Sequence, residues 1–160
     1  MDAILPIALL ALLAAALHDV AARTIPNRIA LGIAALGLFQ RVLAGDLGWG
    51  LVAAGAVFLL GILAWRYGVM GGGDVKLLAA CALLASPWLV PDMILATALA
   101  GGVLALCYIL LRRLVRAPAG PRPDGLLRRL LRAEAWRISR GGPLPYGVAI
   151  LGGVVLTLAA

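Results

Sequence analysis

Charge is scarce in this chain. Of 160 residues only 13% are Asp, Glu, Lys or Arg, while 64% are hydrophobic and the mean hydropathy is +1.06. A soluble globular domain carries about twice that share of charge, so composition argues against one. Histidine occurs once, at His18, and cysteine twice, at Cys81 and Cys107, with no CxxC or Cys/His spacing. That pattern offers no zinc donor set, and both cysteines lie in apolar runs where they read as small hydrophobes. No metal and no cofactor is expected. A cleaved signal peptide is also disfavoured, because Asp2 precedes the first apolar run and Arg23 is the first basic residue other than His18. The first helix is therefore expected to be retained.

What the chain has instead is a series of apolar runs. A bilayer core takes about 20 mostly apolar residues per crossing helix, and the sequence divides into about six such pieces, roughly 3–20, 28–45, 47–65, 74–91, 93–111 and 143–159. The expected fold class is all-α, a polytopic integral membrane protein forming one domain over residues 1–160. The connecting segments then fall on alternate sides. One side collects Arg23, Arg28, Arg66, Lys76, Arg112, Arg113, Arg116, Arg122, Arg128, Arg129, Arg132, Arg137 and Arg140, which is 13 of the 14 basic residues, and leaves Arg41 towards the other. By the positive-inside rule the basic side is cytoplasmic and both termini are outside, where Asp2, Asp46 and Asp92 also fall. The net charge of +7 thus reads as orientation and contact with the anionic cytoplasmic leaflet, not as nucleic-acid binding.

The basic loop 112–142 opens with a proline- and glycine-interrupted linker and continues as "LLRRLLRAEAWRI". On a helical wheel Leu126, Leu127, Leu130 and Leu131 share one arc and Arg128, Arg129 and Arg132 the opposite one, so a short interfacial helix on the anionic leaflet is expected beside the plainer reading of a solvated basic loop. Glu134 and Arg137 break the pattern by falling on the apolar arc.

Of the seven acids, five have simple explanations: three lie at outer turns, and Asp124 and Glu134 lie in the basic loop. Asp19 and Asp74 remain, each at the cytoplasmic end of an apolar run. Ionisable groups so placed are functional candidates by default. The plainer alternatives are an Asp19 neutralised by Arg23 one turn on, and an Asp74 that caps a helix after the glycines. Two carboxylates that converge in a partly dry site share one proton; the ionised member then activates water while the protonated one polarises a carbonyl. In "VMGGGDVK", Gly71, Gly72 and Gly73 carry no side chains, which lets an extended peptide approach. The same stretch is no phosphate loop, because the lysine follows Val75 and precedes Leu77, where Gly-Lys-Ser/Thr is needed.

Three stretches, "HDVAARTIPN", "GGGDVK" and "PLPYGVAI", together with the six-run layout, resemble the prepilin peptidase family, the membrane aspartyl proteases marked by Gly-x-Gly-Asp. The resemblance implies a bacterial inner-membrane enzyme with Asp19 and Asp74 as the catalytic pair. Its implied substrate is a prepilin, cut after a glycine so that a basic leader is removed from the hydrophobic pilin helix on the cytoplasmic side. Larger members carry a four-cysteine cytoplasmic domain and N-methylate the product. Only about ten residues separate the first two apolar runs here, so the chain resembles the short tight-adherence (Flp pilus) branch, without methyltransferase activity. Gly71, Gly72, Gly73, Lys76, Pro26, Asn27, Pro145 and Tyr146 are candidates for substrate binding or support. Pro26 would redirect the chain, Asn27 would cap the second helix, Lys76 and Arg23 would tune the acids, and Tyr146 would line the site or pack. Prepilin and membrane lipid are the implied partners, with oligomeric state left open. Two other classes remain at this point: a non-enzymatic assembly subunit of a pilus or secretion system, and a small proton-coupled transporter using the same acids as a relay.

Overall fold

The computed structural model describes residues 4–118 and 124–159. Asp2 and part of the basic linker, including Arg122, lie outside the described residues. The elements are α1 (Ile4–Ala22), α2 (Asn27–Ala44), α3 (Leu47–Arg66), α4 (Gly72–Leu84), a 3-10 turn (Pro87–Leu89), α5 (Val90–Leu114), α6 (Leu126–Arg140) and α7 (Tyr146–Ala159). No strand occurs among the described residues. The fold is all-helical, and among the described residues four stretches are long and apolar enough to cross a membrane: α1, α2, α3, and α5 with the turn before it.

The fourth expected run, 74–91, departs from the reading of the sequence. Apolar residues continue through "ASPWLVPD", yet the helix ends at Leu84 after 13 residues, and Val90, Pro91 and Asp92 already belong to α5. The cause is local. A residue preceding proline is pushed out of the α region, and both Ala85 (ψ 152°) and Ser86 (ψ 139°) are extended before Pro87 opens the 3-10 turn. Thirteen residues rise only about 20 Å, short of the roughly 30 Å hydrocarbon layer. The last expected run, 143–159, likewise begins as helix only at Tyr146, because Pro143 and Pro145 occupy its first positions.

A short helix is tolerable at membrane depth when protein, not lipid, surrounds it. Packed against α2, α3 and α7, α4 forms the centre of the molecule; Leu77, Cys81, Ala82 and Leu84 are essentially inaccessible. Two glycines permit the close approach. A Cβ at Gly37 of α2 would lie 2.7 Å from the Leu84 backbone, and one at Gly61 of α3 would lie 2.7 Å from Val75 Cγ1. On the other flank of α4, α7 packs against α1 and α5. At the end of the bundle remote from Asp19, Arg41 is buried and pairs with Asp46 (Nη1 to Oδ2, 2.7 Å), and the Trp49 and Trp88 rings meet at 6.0 Å. The one basic residue assigned to the outer side is thus neutralised within its own turn.

Candidate active site

Asp19 lies in the last turn of α1 and Asp74 in the first turn of α4, and the antiparallel course of the bundle brings those two helix ends together. Both acids line one cavity of about 280 Å³, with Arg23, Asn27, Gly71 and Lys76 among the other walls. The cavity lies where the α1–α2 connection and the glycine turn face each other.

Each carboxylate is held by a backbone donor. Asp19 is 5% exposed, and its Oδ2 accepts a 2.9 Å hydrogen bond from the Gly147 N–H in the first turn of α7. The first N–H groups of a helix have no partner within it and carry its positive end, so this donor suits an acid. A Cβ on Gly147 would fall 3.1 Å from Asp19 Cβ, so a larger residue would press the two elements apart. Asp74 is the third residue of α4 and accepts from the Gly71 backbone, which is one half of a capping box. A side chain at Gly71 would come within 2.8 Å of Asp74 Oδ2. Gly73 lies against Ile25, where a Cβ would approach to 3.2 Å. The glycines therefore make room for the acid and for the neighbouring loop as well as for any ligand.

Several supporting residues are placed differently from their sequence reading. Gly71, not Asp74, is the N-cap of α4, and Asn27 is the first residue of α2 after an N-cap at Pro26, with no side-chain cap bond. Asn27 Oδ1 instead accepts from Lys76 Nζ at 3.1 Å, which ties α2 to α4 at the rim of the cavity. Tyr146 packs its ring on Gly101 of α5, while Pro145 is fully buried just ahead of α7. Arg23 does not ion-pair with Asp19. Its guanidinium pairs with Glu134 of α6, and Glu134 also accepts from the Tyr108 hydroxyl of α5.

The contact between α6 and the rest was not visible in the sequence. Arg137 donates to the carbonyls of Val20 (2.7 Å) and Ala21 (3.0 Å), the orphan acceptors at the end of α1, and also binds Glu134 at 3.1 Å. His18 Nδ1 lies 2.7 Å from the Thr24 carbonyl and braces the same turn. Glu134 and Arg137 are the two residues that spoil the apolar arc of α6; that interruption was the available signal. Gly147 carried a weaker one, a glycine placed where a helix begins after two prolines. Among the described residues no group of three His, Cys, Asp or Glu is arranged to hold a metal ion.

Residues 6–106 match the type IV leader peptidase family, a stretch that contains both Asp19 and Asp74 and ends within α5, ahead of α6 and α7. No curated protein and no solved structure matches the chain. The family match spans well over half of the sequence, and the chain belongs to the type IV leader peptidase family.

Proposed function

We propose that this membrane peptidase is an aspartic-type endopeptidase that removes the basic leader from pilin-like precursors at the cytoplasmic face of the bacterial inner membrane, with Asp19 and Asp74 as its catalytic pair. The observation that carries the reading is the shared cavity: two acids 55 positions apart in sequence line one space at a helix-end junction. One ionised carboxylate takes a proton from water as the oxygen attacks the scissile carbonyl carbon, and the protonated partner donates to the carbonyl oxygen. Collapse of the tetrahedral intermediate breaks the C–N bond, and the amine leaves with a proton from the pair.

The backbone donors fit this division of labour. Gly147 fixes the orientation of a buried Asp19, while Asp74 stands at the glycine turn where a peptide strand can enter. A transmembrane helix cannot be cut while its backbone is fully bonded and surrounded by lipid, so hydrolysis belongs at such a junction. In this reading the basic side of the bundle is cytoplasmic, both termini are outside, and α4 and α7 complete a six-helix arrangement with α1, α2, α3 and α5. The leucine arc of α6 lies on the anionic leaflet. The short connection between α1 and α2 carries no four-cysteine domain, which supports the Flp-type branch and peptidase activity without methyl transfer.

The test is co-expression with a pilin-like precursor, following leader removal on gels. Asp19→Asn and Asp74→Asn, each inserted in the membrane at wild-type levels, are expected to leave the precursor uncut. Wild-type cleavage by either variant overturns the two-aspartate mechanism, and a wild-type chain that never cuts any precursor returns the assembly-subunit and transporter readings.

A further inference from the structure

A second, larger space adjoins the acids. Between α2 and α3, with α4 as its floor, runs a groove of about 510 Å³. Its walls are one face of each helix at helical spacing: Ala30 and Ala34 from α2, Ala54 and Gly55 from α3, Ala79 and Ala80 from α4. From Lys76 to Leu83 on the floor it extends about 10 Å along the bundle, at 1.5 Å per residue. Asn27 and Lys76, bonded to each other at 3.1 Å, line both this groove and the carboxylate cavity, so the two spaces adjoin at one end.

Gly55 differs from the glycines that α4 packs against. Gly37 and Gly61 are glycines because α4 presses on them, whereas a Cβ at Gly55 would meet nothing within 4 Å. The packing of this chain on itself does not use that space. The rim is apolar too, with Leu31 and Leu51 exposed above it.

We propose that this groove seats the apolar helix of the substrate, the segment that follows the scissile bond, and so supplies substrate recognition; the proposal rests on the leader-peptidase reading above. Inside hydrocarbon a peptide must bond its own backbone, so the occupant of an intramembrane groove beside a peptidase cavity is a helix with an apolar surface. Small residues on the floor let such a helix approach closely, the usual means of helix association in lipid. Charge does not offer an alternative. Basic residues crowd the helix ends on the side that holds the cavity, Arg23, Arg28, Arg66 and Lys76 among them, and repel a basic leader. With the apolar helix in the groove, the residues just ahead of it cross over the Lys76–Asn27 bond at the shared wall, beyond which lie Asp19 and Asp74.

Gly55→Leu adds bulk to the groove from a position whose Cβ meets no neighbouring atom, and Gly32→Leu adds the same side chain at an exposed α2 position whose Cβ is equally unobstructed and off the groove. Both are purified in lipid nanodiscs and given two substrates: a full precursor with its apolar helix, and a soluble peptide ending a few residues beyond the scissile bond. Gly55→Leu is expected to lower kcat/KM for the full precursor about tenfold or more through KM, equivalent to about 1.4 kcal/mol, and to leave the peptide's slower rate unchanged; Gly32→Leu alters neither. Full-rate cleavage of the precursor by Gly55→Leu, or an equal loss on both substrates, overturns the proposal. A photo-crosslinking residue at Leu51 is the second measurement: an adduct with the apolar segment of the precursor supports it, and adducts with lipid alone overturn it. Failure of the groove leaves cleavage by the wild type and its loss in Asp19→Asn intact, whereas failure of the peptidase reading abolishes cleavage of both substrates by every form.

Discussion

Two short helices, α4 and α6, hold opposite sides of the same helix-end junction by opposite means. The 13 residues of α4 are enclosed by α2, α3 and α7, and more than half of them are buried. The 15 residues of α6 include none that is buried, and Leu126 and Leu127 are 80% and 70% exposed. Shape complementarity places Asp74, because α4 has one position in which Gly37 and Gly61 can receive it. Polar geometry places the end of α1, because Arg137 and Glu134 reach specific acceptors and donors there. Packing tolerates almost no change of volume, while a polar latch depends on a few atoms and on solvent conditions.

The largest effect that separates the two is chemical. Asp74→Asn, on the enclosed helix, is expected to cut precursor cleavage by roughly 10²–10⁴-fold, the usual worth of a general acid or base, with the thermal unfolding temperature in detergent unchanged. Next comes packing. Leu77→Ala empties a site that is 0% exposed and is expected to destabilise the protein by about 2–5 kcal/mol, read from the same unfolding curve.

On α6 the effects are smaller and more specific. Arg137→Ala strips the Val20 and Ala21 carbonyls and leaves Glu134 with one cation fewer, an expected loss of about 1–3 kcal/mol. Arg137→Lys is expected to recover only part of it, since an ammonium lacks the planar fork that reaches two carbonyls at once. Equal stability of Arg137→Ala and wild type would remove the latch from the comparison. The smallest effect is on the outer arc: Leu127→Asp is expected to change stability by less than about 0.5 kcal/mol, while a free cysteine introduced at position 130 in that background becomes more reactive to a water-soluble maleimide label. A protected label in Leu127→Asp would show that the leucine arc does not meet lipid.

The contrast also explains what the sequence displayed and what it concealed. Long apolar runs, glycine turns and charge asymmetry are local, so α1, α2, α3 and α5 were legible, as were the two acids that stand out from their surroundings. Hydropathy cannot tell an apolar residue facing lipid from one facing protein, so the enclosed, shortened α4 looked like a span continuing through Ser86. The extended Ala85 and Ser86 ahead of Pro87 show which rule prevailed there. The Arg23–Glu134 pair joins positions 111 apart, and nothing near either residue announces the other. Within the sequence Arg23 looked like the partner of Asp19 because that residue is four positions away, and Glu134 looked like a solvated acid. Gly147 was concealed for a similar reason: its contribution is a backbone N–H, which no residue type encodes.

The pair formed by Arg41 and Asp46 bears on how the chain enters the bilayer. The other cations of the α2–α3 hairpin, Arg28 and Arg66, lie at its open end, and at its closed tip stand one guanidinium and one carboxylate five residues apart and bonded at 2.7 Å. An isolated arginine crossing hydrocarbon carries a penalty of about 2.5–3.5 kcal/mol on insertion scales. A hairpin that folds before it crosses presents a neutral dipole at its leading edge. The tip of the hairpin thus carries no net charge, and its remaining cations stand at the opposite end.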